Sequence, residues 1–272
     1  AWVLLLSLVL AGLVILVPRQ RPWMLVLGVA VYFALVGVIV DQRTDEASQG
    51  ALRQGISGTP NWIDQAVGST ARVAVIYPGD REPLKVWQNE IFNRSLGTVY
   101  AIGVPMPAAL PETVADFDGK GELRDRAGFP ISAPIVLVDT SVQLAGRVVA
   151  RDRARQMSVV RTPPGPVRAL QRTTGLFDDG WTAGQFAFTR YNCPGGIVTA
   201  VLASDPTLRE QPVRVTATTA SAQPAIVVPP TSAVTVRTAV GPTNGSCSVS
   251  YTVDQTTVPQ QVNGSSDTRA LG

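Results

Sequence analysis

The chain has 272 residues, 45% hydrophobic and 16% charged, with 23 Lys and Arg against 20 Asp and Glu for a formal net charge of +3. It contains no histidine, which excludes histidine-based nucleophilic triads, histidine general bases and most zinc sites from these residues. Acids and bases are scattered, with no basic stripe interleaved with aromatics, so nucleic acid is not an expected partner.

In chain order the first signals are two apolar stretches, residues 1–17 and 23–40, joined by Pro18-Arg19-Gln20-Arg21-Pro22. A membrane-spanning helix needs about 20 mostly apolar residues, and neither stretch carries a charge or a polar stripe. The expectation for residues 1–41 is a pair of transmembrane helices in a lipid bilayer, the first cut at its start because the sequence begins inside an apolar run. The connecting turn carries Arg19 and Arg21 and no acid, while Asp41, Asp45 and Glu46 follow the second stretch. The positive-inside rule then places the turn in the cytoplasm and the remainder outside the plasma membrane.

Residues 42–58 read as a polar linker, followed by an expected small extracytoplasmic α/β domain at 59–162. Thr59 or Asn61 can cap a short helix whose apolar face is Trp62, Ile63, Ala66 and Val67, ended by Gly68. Arg72 to Tyr77 is a short buried strand. Pro83 to Leu96 reads as a second helix with Trp87, Ile91 and Phe92 on one side and Gly97 as its stop. Thr98 to Ile102 is the next strand, then a long loop rich in Pro, Gly and Asp, then a buried strand from Pro134 to Val138. Arg147-Val148-Val149-Ala150 and Met157-Ser158-Val159-Val160 form a hairpin around a polar turn. Thr162-Pro163-Pro164-Gly165-Pro166 reads as a stiff linker.

From Val167 onward no helical period survives. Candidate strands run 185–191, 196–203, 213–219, 225–228, 233–237 and 247–253, spaced by turn residues as in an all-β sandwich occupying 167–272. The whole chain is thus expected to be a multi-domain α+β protein: transmembrane hairpin, small α/β domain, jelly-roll-like sandwich. Cys193 and Cys247 lie in strand-like stretches of the part placed outside the membrane, where oxidation is allowed. A disulfide between them is the preferred expectation; two separate buried thiols, or a two-cysteine metal site, are the alternatives.

Two clusters carry polar chemistry. Trp87, Asn89, Glu90, Asn93 and Arg94 place an aromatic plane, two amides, an acid and a base on about two helical turns. They read either as a glycan-facing surface or as a core tryptophan beside an exposed Glu90–Arg94 pair. Asp178, Asp179 and Trp181 are the second cluster. Stacking of Trp181 on a sugar with carboxylates on its hydroxyls is one reading, Ca²⁺ held with Asp205 or Asp267 another, and a turn with a core-packed Trp181 the third. No resident metal or cofactor is expected.

The stretches Asn61-Trp62-Ile63-Asp64-Gln65-Ala66-Val67-Gly68, Val73-Ala74-Val75-Ile76 and the run from Trp87 to Tyr100 resemble the extracytoplasmic region of polytopic actinobacterial-type glycosyltransferases. So do Gly175-Leu176-Phe177-Asp178-Asp179-Gly180-Trp181 and Ser265-Ser266-Asp267-Thr268-Arg269-Ala270-Leu271-Gly272. These are GT-C proteins similar to the dolichyl-phosphate-mannose-protein mannosyltransferases. The resemblance implies a polyprenyl-phosphate sugar donor, a cell-envelope glycan acceptor and a catalytic aspartate in the first extracytoplasmic loop. No acid of this chain matches that position, so no catalytic residue is carried over and the fragment would position or bind glycan. A non-enzymatic membrane-anchored module binding cell-wall glycan or a protein partner is the alternative.

Overall fold

The computed structural model describes residues 59–79, 84–106, 110–177, 179–220 and 223–272, all within one compact unit, Ser57–Gly272. The expected transmembrane pair at 1–41, the linker at 42–58 and Asp178 lie outside the described residues. Among the described residues no helix is long and apolar enough to cross a membrane. The described residues are mostly β-sheet.

The first sheet is built on β1 (Val73–Tyr77), β2 (Leu96–Ile102) and β5 (Ile135–Asp139). β1 lies between β2 and β5 and is parallel to both. Every residue of β1 and β5 is buried, as expected of parallel strands covered on both faces, which read as continuous apolar runs. Side chains alternate across a strand. Val73, Val75, Tyr77, Ile135 and Leu137 therefore share one core with Ile63 and Val86 from the helices. Ala74, Ile76, Val136 and Val138 enter the other, with Leu123, Val142 and Val167. The sheet continues outward through β3 (Glu112–Phe117) and β4 (Leu123–Asp125) on one side, and through β8 (Met157–Arg161) and β7 (Arg147–Asp152) on the other. β7 and β8 form the expected hairpin, its turn held by the Asp152 carboxylate accepting from the Ala154 and Arg155 N–H groups.

Two helices cover one face: α1 (Trp62–Val67) and α2 (Leu84–Phe92). α1 ends at Gly68 as expected. α2 is shorter than the expected helix, which was to run on to Leu96 and stop at Gly97. Asn93 leaves the helix to bond α1, Ser95 accepts the Val73 N–H through its carbonyl, and Leu96 already begins β2, so Gly97 lies inside a strand. Ile91 is 52% exposed rather than aligned inward; the helix buries Val86, Gln88 and Asn89. The segment expected as a long loop holds β3 and β4. Thr162 to Val167 is tied into the core: the Val167 N–H donates to Ile131 and its carbonyl accepts from Leu123, both at 2.8 Å.

The second sheet has the order β13-β12-β15-β10-β9-β6, from β6 (Val142–Leu144), β9 (Ala169–Leu176), β10 (Thr182–Tyr191), β12 (Val213–Thr218), β13 (Ile226–Val228) and β15 (Ser246–Val253). β6 belongs here although it precedes β7, so the chain visits both sheets before residue 162. A two-stranded ribbon of β11 (Gly196–Leu202) and β14 (Val234–Val240) is the opposite layer of this sandwich-like region. All six strands expected after residue 184 are present; β9 and a short helix α3 (Pro259–Asn263) were not foreseen.

Candidate functional site

The cluster at α2 is a joint between helices. Asn89 and Asn93 are 1% and 2% exposed, which removes both amides from solvent. The Asn93 carbonyl oxygen accepts from the Ile63 and Asp64 N–H groups at 3.0 and 3.2 Å. It thereby supplies the cap that Asn61 does not, since Asn61 makes no side-chain cap bond. Its amide nitrogen donates to the Pro60 and Asn89 carbonyls. Asn89 accepts from the Trp62 indole N–H at 2.9 Å and donates to the Lys85 carbonyl. The Asp64 carboxylate closes the joint by accepting from the Arg94 and Ser95 N–H groups. Burial acts to raise the Asp64 pKa, but the bonds from Ser95 and Arg94 outweigh it and hold the carboxyl below its usual range. Trp87 is half-buried, the Glu90 carboxylate accepts from the Leu110 N–H at 3.4 Å, and Arg94 is exposed.

The second cluster gathers around Arg269. Its guanidinium bonds the Asp179 carboxylate at 2.5 and 3.3 Å and the Asp267 carboxylate at 2.7 and 2.9 Å, and lies 4.6 Å from the Phe177 ring centroid. The Arg269 bonds hold Asp179 below its usual pKa against the opposing effect of burial, and lower Asp267 to about 2. Arg269 thus ties Phe177 and Asp179 to Asp267 although Asp179 and Arg269 stand 90 positions apart. Half-buried Trp181 lines a small cavity of about 80 Å³ with Arg209 and Gly272. Asp205 is occupied locally, accepting from the Thr207 N–H and hydroxyl. Among the described residues no group of three or more Cys, Asp or Glu side chains converges on a metal position.

Cys193 and Cys247 form a disulfide with Cα atoms 5.6 Å apart. Cys247 is in β15; Cys193 lies just past the end of β10 rather than within a strand. Beside this bond a groove of about 530 Å³ opens where the β3–β4 turn meets the turn before β15. Tyr191 and Phe117 line it with their rings 5.6 Å apart, together with Asn244, Thr243, Ser246 and Ser248. Gly119 is required here, because a Cβ would stand 1.5 Å from the Asn244 carbonyl oxygen. Burial raises the Tyr191 pKa against the opposing Arg172 charge, so the phenol stays protonated at neutral pH. Across the groove, the Asp118 carboxylate is engaged by the Lys120 and Glu122 N–H groups and the Arg124 guanidinium.

A larger cleft of about 650 Å³ lies between β10 and β11. Phe186, Phe188, Leu176 and Val201 line it, and among the described residues Arg190 is the one charged side chain on its wall. Tyr191, Asn244 and the cleft residues escaped sequence reasoning because they sit among ordinary strand and turn residues. Asn192 and Asn244 each take positive φ beside a turn, a conformation that Asn adopts more readily than most residues. Compared with known proteins, the chain matches no family model and no curated protein.

Proposed function

We propose that this chain is the carboxy-terminal membrane and extracytoplasmic portion of an integral-membrane glycosyltransferase. The enzyme takes sugar from a polyprenyl-phosphate-linked donor and passes it to a cell-envelope acceptor. In this reading residues 1–41 lie in the plasma membrane and the rest is extracytoplasmic: a small α/β domain and a jelly-roll-like sandwich that hold glycan and perform no chemistry.

The observation that carries the glycan reading is the groove at Tyr191. Aromatic Tyr191 and Phe117 line it together with Asn244, Thr243, Ser246 and Ser248, and the disulfide ties the end of β10 to β15 beside it. Sugar rings are recognised by that combination of apolar plane and short polar groups.

The test is sugar transfer in membranes expressing the chain within its full coding context, using polyprenyl-phosphate-linked hexoses. Transfer that weakens on Asn244→Asp, with the disulfide intact, is the expected result. A folded protein that transfers from no such donor contradicts the enzyme assignment; if it still binds hexose oligosaccharide, it is a surface module instead.

A further inference from the structure

The cleft beside β11 has the form of a missing strand. Consecutive residues of β11 from Ile197 to Leu202 all line it, so it runs along the strand's edge rather than one face. Among the described residues β11 pairs with β14 alone, which leaves that edge without ladder partners. The floor is the inner face of β10, where Phe186 and Phe188 remain half-buried although they belong to the sandwich core. On β11 itself Ile197 and Val201 are 58% and 69% exposed. Natural edge strands are guarded by charge, proline or a covering element, and residues 196–202 carry neither charge nor proline.

We propose that this cleft is an acceptor site for one extended polypeptide strand, apolar at alternate positions and acidic where it passes Arg190. Three features select that occupant. The unpaired N–H and C=O groups of β11 repeat at strand spacing, which only a polypeptide backbone can match along the length of the cleft. The aromatic floor takes every second side chain of such a strand. Arg190 shares the face of Phe186 and Phe188 at one end of the cleft and has no carboxylate partner among the described residues, so it complements an acid on the incoming strand. The site is separate from the glycan groove and does not depend on it.

The test is amide hydrogen exchange on the 272-residue chain in detergent, titrated with a synthetic peptide of alternating valine and threonine ending in glutamate. A length of about nine residues spans β11. Exchange within residues 197–202 is expected to slow about tenfold or more, with β1 unchanged. Ile197→Lys combined with Val201→Lys, both at exposed positions, is expected to abolish the slowing while near-ultraviolet dichroism is retained. Arg190→Glu is expected to shift preference about threefold from the glutamate-ended peptide to a lysine-ended one. Unchanged β11 exchange at about millimolar peptide would overturn the proposal. So would binding of decyl phosphate in the cleft under conditions where the peptide leaves β11 unaffected, which would make it a site for an anionic lipid chain.

Discussion

In β1 and β5 every residue is buried; in β10 and β11 none is. The first pair sits at the centre of a sheet with a core on each face. The second pair faces across a sandwich in which, among the described residues, a six-stranded sheet meets two strands. The same β-rich chain thus contains a closed layer and an open one that exposes aromatic floor and strand edge, with the Tyr191 groove where the first sheet's β3–β4 turn meets the open layer. Both proposed binding sites draw on residues of the open layer.

The largest effect is expected at the disulfide. Cys193→Ser with Cys247→Ser releases a loop closed across a sequence separation of 54, with an expected loss of about 4 kcal/mol by the chain-entropy relation. Denaturant unfolding should lose that amount, with the loss read in Tyr251 and groove signals before those of β1. Next, Leu137→Ala in the closed layer empties a site with 0% exposure and should cost about 3 kcal/mol. Val201→Ala in the open layer should stay within about 0.5 kcal/mol. Equal costs at the two positions would erase the distinction between layers.

A sharper probe is Asn93→Ala. It leaves the Ile63 and Asp64 N–H groups without their acceptor and should cost about 2 kcal/mol, whereas Arg94→Ala beside it should change stability little. That contrast matters because both residues stood in one candidate glycan-facing cluster. The smallest effect is expected from Arg269→Gln. Asp179 and Asp267 have folded pKa values below the ordinary range, Asp267 at about 2. Their contribution is complete above the unfolded value of about 4 and is lost as pH falls through the folded values. The stability gap between wild type and variant should therefore be widest above pH 4 (about neutral) and close as pH approaches about 2.

What the sequence made legible follows the same division. β1, β5 and the β7–β8 hairpin stand out because strands covered on both faces, or closing on a tight turn, need apolar runs. β3 (Glu112–Phe117) hides because only Ala115 and Phe117 are buried, the latter at 9% exposure. β9 (Ala169–Leu176) hides for a related reason: after Ala169 none of its residues is fully buried, so Gln171, Arg172, Thr173 and Thr174 fit without penalty. Asn89 and Asn93 look like surface residues in a linear reading. Their burial is stable only because Trp62, Pro60 and the first turn of α1 satisfy them from about thirty residues away. The disulfide was legible because the chain has two cysteines, each in or beside a strand-like stretch, whereas the groove depends on Gly119 meeting Asn244, which no local pattern encodes.

The most direct measurement is amide exchange on the full chain with and without linear hexose oligosaccharide. The account predicts added protection at Tyr191 and across residues 243–248, with α2 unchanged. Protection appearing instead at Trp87, Glu90 and Arg94, or nowhere in the chain, would contradict it.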